Sequence, residues 1–350
     1  VSLSNGELAE LLYAAAEEQT DQRQRALRRA ARYALVWPEE ARAMKEEGRS
    51  LTELPAVGPW VGRAIHALLD DPPDFEIHPL RSGFITYADA KKVLEEDPSW
   101  KDELRGDLQM HSTYSDGSVS ISEMAGGATS FGYEYISITD HSKGLKIAGG
   151  IDEYVLGQQA AEIADVNLQL DDLEADLTVL RSIELNFDRD GGVDMENDAL
   201  DELDIVVGSF HSRLRVKEDQ TDRVLGAVRH PHVQIIGHPK GRMFGVRAGV
   251  QGDWERIIEE GTARGKAFEI NAQPNRQDFS IEMLKLANAA GATFSIGTDA
   301  HSVGELYNVD LALASAALAE IPKERIINYL ALPDLLAWVA ESREAARSQA

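Results

Sequence analysis

The sequence predicts an α/β protein, a distorted parallel barrel of seven β/α units preceded by a small all-helical domain. Three observations carry that reading. Between residues 104 and 340, seven β-prone runs (LRGDLQMH, YEYISITDH, LTVLRSIE, DIVVGSFH, VQIIGHP, GKAFEINA and TFSIGTDAH) are each followed by a helical stretch. Strand–helix alternation implies a mostly parallel sheet, and seven units suggest a closed or nearly closed one. Every run but GKAFEINA ends on a polar side chain able to ligate a metal, and strand ends are where β/α barrels carry their active sites. Residues 1–70, by contrast, show only the helical spacing of apolar residues.

Along the chain, ELAELLYAAAEEQ and QRQRALRRAARYALVW read as helices, punctuated by Pro38 and Gly48. In LTELPAVGPWVGRAIHALL a helix is expected to end at Leu54, a tight turn to run from Pro55 to Gly58, and a second helix to start at Pro59. Proline suits the first helical position because its missing N–H would be unpaired there. The arrangement resembles a helix-hairpin-helix, whose glycine turn and free N–H groups hold a DNA phosphate without reading sequence. On that resemblance Val57, Gly58, Trp60 and Gly62 are candidate DNA-phosphate contacts, although Ala56 stands where such motifs often have glycine. An ordinary helical hairpin is the alternative, with Trp60 simply packed. Residues 71–103 read as a connector with one helix, TYADAKKVLEE, residues 104–340 as the β/α part, and residues 341–350 as a frayed tail.

Composition narrows the class. A length of 350 residues fits about two domains, and a 43% hydrophobic content can fill a core. No run approaches the ~18 consecutive apolar residues that span a bilayer, and VSLSNGELAELL lacks the regions of a signal peptide. With no cysteine there is neither a disulfide framework nor a thiolate metal site. A cytoplasmic location is expected. The net charge of −25, of which −18 lies in residues 104–350, argues against a general nucleic-acid binder. Divalent cations at the mouth of an acidic barrel would still invert the local field for a phosphate ester.

Nine positions form the candidate metal site: Gln109, His111, Asp116, His141, Glu184, His211, His238, Asp299 and His301. Oxygen and imidazole ligands suit Zn²⁺, Mn²⁺ or Fe²⁺, and several sharing a carboxylate suggest a cluster of two or three ions. A lone histidine at a strand end is most often a hydrogen-bonded structural residue, and Asp299 alone could be a helix cap. Coincidence fails for the set as a whole, but it covers His66, His78, His230 and His232. For substrate, GHPKGRMFGVR supplies Lys240, Arg242 and Arg247, cations suited to phosphate oxygens. Lys143, Arg276 and Asn271 are weaker candidates.

The motifs GDLQMHSTYSDG, ITDHS, GSFHS, IIGHP and GTDAHS, with Glu184 between them, resemble in order the signatures of the PHP (polymerase and histidinol phosphatase) superfamily. ITDHSKGLKIAGGID, GHPKGRMFGVR and FEINAQPNRQD are most similar to the C-terminal domain of bacterial family X DNA polymerases, and RQRALRRAARYA with LPAVGPWVGRAI to their first helical domain. Too few residues separate these parts to hold a polymerase palm and thumb. The resemblance implies a first metal on His111, Glu184 and Asp299, with Gln109 where a histidine is usual. It implies a second metal on Glu184, His211 and His238, and a third on Asp116, His141 and His301. Catalysis would rest on Glu184, Asp299 and His111, by attack of a metal-activated hydroxide on phosphorus. The expected function is a metal-dependent phosphoesterase acting on gapped or 3′-ended DNA, a 3′→5′ exonuclease or end-processing enzyme of repair. The alternatives are a phosphomonoesterase on a small metabolite and a catalytically weakened DNA-binding protein.

Overall fold

Ser4 opens the first helix by a reciprocal cap, in which its hydroxyl accepts the Glu7 N–H while the Glu7 carboxylate accepts the Ser4 N–H. In the computed structural model, which describes residues 3–348, helices follow at Asn5–Glu17, Asp21–Ala34, Ala41–Glu46 and Pro59–Asp70. Their apolar faces share a core of their own, with Leu8, Leu12, Leu27, Trp37, Val61 and Ile65 buried. The hairpin differs from expectation in two ways. The segment before the turn is one 3-10 turn, Leu51–Glu53, rather than an α-helix ending at Leu54. The left-handed residue is Ala56, at φ 64°, whereas Gly58 is extended at φ −85° and caps the next helix. Trp60 packs against the helical core beneath the Arg23 guanidinium.

Eight parallel strands follow: β1 (Gly106–Met110), β2 (Tyr135–Ile138), β3 (Thr178–Arg181), β4 (Glu184–Phe187), β5 (Val207–Phe210), β6 (Ile235–Gly237), β7 (Ala267–Asn271) and β8 (Thr293–Gly297). They exceed the seven expected because the third run breaks at Ser182–Ile183. β3 completes a β1-β2-β3 sheet and β4 opens a second, β4-β5-β6-β7-β8. Backbone bonds tie the two at both margins. The Asp299 N–H donates to the Gln109 carbonyl at 2.9 Å and the His111 N–H to Ala300 at 2.8 Å, and on the other side the Ser142 N–H reaches Glu184 at 3.1 Å. Leu108, Tyr135, Leu180, Val207, Ile235 and Ala267 form a second core, closed by Leu335 and Val339 of the helix Leu332–Ser348. The site residues gather at the opposite, C-terminal ends of the strands.

Residues 71–103, expected as a connector with one helix, carry two helices (Tyr87–Glu96 and Ser99–Asp102) whose Ala90, Leu94 and Trp100 belong to the main α/β core. The expected tail is also packed, since Ser342 and Ala346 are buried and Arg343 donates to the Leu203 carbonyl at 2.8 Å; residues 349–350 lie outside the described part. The N-terminal helices dock on the loop after β6. Glu10 and Arg81 form a buried two-point ion pair (2.6 and 2.7 Å), and the Tyr13 hydroxyl donates to the Gly245 carbonyl at 2.6 Å. Among the described residues no helix is long and apolar enough to cross a membrane.

The turn geometry is testable. An alanine held left-handed costs about 1–2 kcal/mol, partly offset by the extra entropy glycine brings to the unfolded chain. Ala56→Gly should raise stability by about 0.5–1 kcal/mol in urea unfolding. A loss of stability would place the left-handed residue elsewhere.

Candidate metal centre

The break between β3 and β4 puts Glu184 in the middle of the site rather than at its rim. Its N–H donates to the Asp140 carbonyl at 3.1 Å, and its side chain has no exposure to water. Four imidazoles surround that carboxylate. Oε1 lies 2.7 Å from His238 Nε2 and 3.3 Å from His211 Nε2, and Oε2 lies 2.9 Å from His141 Nδ1 and 3.5 Å from His111 Nε2. Asp299 Oδ1 is 3.2 Å from His111 Nε2, while Asp116 Oδ1 lies 3.3 Å from His301 Nε2 and 3.5 Å from His141 Nε2. All eight expected histidine and carboxylate ligands therefore converge. Two groups among them have ligand atoms close enough to hold one ion: His111, Asp116, His141 and His301, and His141, Glu184 and His211.

The donor set fits divalent cations on its own evidence. Both His111 ring nitrogens, His141 Nδ1, Glu184 Oε2, His211 Nε2 and His238 Nδ1 are buried and make no aligned hydrogen bond beyond the close contacts given above, and so many underused polar groups on one wall are costly unless something ligates them. Supporting bonds aim the rings. His211 Nδ1 lies 3.2 Å from Asn186 Oδ1 and His301 Nδ1 lies 2.8 Å from the Asp299 carbonyl, which leaves each Nε2 facing the centre. His238 and Asp299 adopt left-handed backbone (φ 24° and 55°), a strain typical of functional sites. Gly297 is needed for close approach, because a Cβ there would sit 2.1 Å from Glu269 Oε1.

Gln109 is fully buried, and its amide pairs with Glu269 when the NH₂ group faces that carboxylate. Glu269 also accepts the His238 N–H and, at 3.1 Å, the Asn271 amide. Burial, with the Asp299 charge nearby, pushes the Glu269 carboxyl well above the usual range. Glu269 escaped the sequence reading, although an acid in the middle of the apolar run GKAFEINA was a signal. Asp278, which accepts the Gly241 N–H at 2.6 Å, escaped it as well.

The expected substrate residues divide. Arg276 reaches Asp299 Oδ2 at 3.1 Å, and Asn271 reaches the same oxygen at 3.3 Å. Arg247 donates to the Gly241 carbonyl at 2.7 Å, and Lys240 lies over the Trp254 ring. Arg242 is buried, donates from Nη2 to the Ser82 and Gly83 carbonyls and stacks 3.8 Å over Phe84. Lys143 is paired with Glu153 at 2.6 Å.

No protein-family model matches the chain. It is 37% identical over 255 residues to the DNA polymerase/3′-5′ exonuclease PolX of Bacillus subtilis, covering 73% of this chain and 43% of PolX. The chain thus spans less than half the length of that relative. The chain belongs to the PHP family. It is also 27% identical over 218 residues to a probable phosphatase of Caldicellulosiruptor bescii, covering 60% of this chain and 84% of that one. A probable phosphatase of Shewanella oneidensis is 31% identical over 170 residues, or 45% and 65% of the two chains. Among solved structures, the histidinol phosphate phosphatase of Lactococcus lactis matches with a TM-score of 0.47 and 17% identity, over 62% of this chain and 94% of that one.

Two predictions follow from the geometry of this PHP site. Burial alone would depress His141 and His301, but the Glu184 and Asp116 carboxylates beside His141 raise it to about 10, and Asp116 and Asp299 raise His301 to about 9. In the metal-free chain both rings are therefore protonated at pH 7, and an ion must displace those protons. Calorimetry in buffers of different ionisation enthalpy should show proton release on Mn²⁺ binding, and affinity should rise with pH until it passes about 9–10. Affinity independent of pH would mean that these histidines do not ligate. Gln109→His should tighten the most weakly held ion and raise activity at low metal concentration. No change in stoichiometry, affinity or rate would place Gln109 outside the ligand shell.

Proposed function

We propose that the chain is a metal-dependent phosphoesterase acting on DNA ends, a 3′→5′ exonuclease or 3′-end-processing enzyme. The observation that carries this is the convergence of five imidazoles on the carboxylates of Glu184, Asp116 and Asp299, with buried nitrogens of His111, His141, His211 and His238 lacking an aligned hydrogen bond. The identity with PolX, a polymerase and 3′-5′ exonuclease by name, supports the DNA substrate. In this reading His111, Glu184 and Asp299 hold one ion, Glu184, His211 and His238 a second, and Asp116, His141 and His301 a third. An imidazole–carboxylate set without thiolate suits Mn²⁺ or Zn²⁺. Bound there, the ions supply an acidified water and neutralise charge on the phosphoryl oxygens. Arg276 steadies Asp299 and faces the same space. Val57, Gly58, Trp60 and Gly62, at the start of the helix Pro59–Asp70, hold a DNA phosphate in this scheme.

A second reading, hydrolysis of small phosphate monoesters, is favoured by the relatives named probable phosphatases, one of which is matched over 84% of its length. Purified protein with Mn²⁺, given labelled DNA with a recessed 3′ end beside p-nitrophenyl phosphate, separates the two. The expected kcat/KM is at least about tenfold higher for DNA. Glu184→Gln should cut both activities by about 100-fold or more while far-ultraviolet circular dichroism is retained. Faster turnover of the monoester would establish the second reading.

A further inference from the structure

The loop after β5 carries Arg213, Arg215 and Lys217 within the segment SRLRVK directly behind His211. All three are exposed, and none has a carboxylate partner among the described residues. The loop is held in place. Arg223 donates to the Ser212 carbonyl and hydroxyl at 3.1 and 2.8 Å, and Arg213 is left-handed at φ 58°. Leu214 packs against Gly241, where a Cβ would meet its Cδ2 at 2.8 Å, so the β5 loop lies on the β6 loop that bears Lys240 and Arg247. Arg247, half-buried, is held down to about 10 by burial first and then by the charges of Arg276 and Arg215. Arg276 touches Asp299. The Asp278 carboxylate, whose field also reaches Arg247, is buried and already accepts the Gly241 and Arg242 N–H groups. Glu218 and Asp219 end the segment, and Asp219 is spent on the Thr221 N–H and hydroxyl.

The result is a group of cations on adjoining loops, Arg276 at the metal centre, Arg247 on the β6 loop and Arg213, Arg215 and Lys217 on the β5 loop packed against it, in a chain of net charge −25. Arg276 has Asp299 as its counter-ion, but the exposed cations of the β5 loop have none among the described residues, and a polyanion relieves the repulsion among them. A single phosphate at the centre engages only the innermost of the group. We propose that this group is a track for the phosphates upstream of the scissile one, so that the substrate is a nucleic-acid strand entering over the β5 and β6 loops. The inference rests on the phosphoesterase reading above and names the substrate class for that site.

The test compares single-stranded oligonucleotides with the one-phosphate reporter p-nitrophenyl thymidine 5′-phosphate, using the Mn²⁺-loaded full chain. In the wild type, kcat/KM should climb with length from dinucleotide to hexanucleotide. In Arg215→Ala/Lys217→Ala the ratio of oligonucleotide to reporter kcat/KM should fall about tenfold. The salt dependence on oligonucleotides should flatten by roughly one unit per lost contact. An unchanged ratio with an unchanged salt slope overturns the track. If the chain cleaves the reporter but leaves DNA uncut, the exonuclease reading fails, and the track is then read from inhibition of reporter cleavage. The inhibition constant of an uncut oligonucleotide should rise about tenfold in the variant, and that of inorganic phosphate should not. Equal inhibition of wild type and variant, or inorganic polyphosphate inhibiting as well as DNA, overturns the nucleic-acid assignment.

Discussion

A carboxylate removed from water loses hydration worth several kcal/mol even after relaxation, and must recover it from its neighbours. Glu184, without exposure, recovers it from four imidazoles. Those rings come from the ends of β1, β2, β5 and β6, so one side chain fixes the relative position of segments from both sheets. The chain breaks at Ser182–Ile183, and β4 starts at Glu184 itself, whose carboxylate lies at the centre.

The remaining charges are arranged around that one. Asp299 is shared by His111, Arg276 and Asn271, and Asn271 also bonds Glu269, which in turn holds the His238 N–H. Strands β1, β6, β7 and β8 are thus tied by side chains as well as by backbone. The tightness of the floor shows in Gly237 and Gly297, where a Cβ would come within 2.4 Å of Ser209 Oγ and 2.1 Å of Glu269 Oε1. Such packing holds buried acids close together, and buried like charges favour a bound cation between them.

What was legible in the sequence was the part carried by local pattern. His141, His211, His238 and His301 each follow an apolar run, and the period of a strand places them at its tip. Glu269 was not legible in the sequence, nor was Asp107, a buried acid of β1 that accepts the Thr298 N–H at 3.1 Å, because an acid inside an apolar run shows its meaning only beside its partners. Those partners, Gln109 and Thr298 among them, lie on other strands. The partners of Arg242 were hidden for the same reason. Its glycine-rich surroundings match a phosphate loop, but the carbonyls it serves lie 160 and 159 residues earlier. The third run gave no local mark of its break, since Leu177–Glu184 is continuous in character and only the pairing of β2 and β5 divides it.

The loop after β6 joins the two halves of the molecule. Its first residue beyond the strand, His238, faces Glu184. Arg242 and Phe244 face the other way, against Ser82, Phe84 and Tyr13. Gly241 and Arg242 donate N–H groups to Asp278, and the Phe244 N–H donates to the Asn275 carbonyl, so the loop is also fixed to the segment after β7 that carries Arg276. A loop bound on three sides has little freedom of its own. The N-terminal helices dock on it through Tyr13 and, from Glu10, through Arg81 of the adjoining segment. Their seating therefore shares one loop with a ring on the central carboxylate, and Tyr13 meets that loop at Gly245 and Phe244 without any contact with the centre.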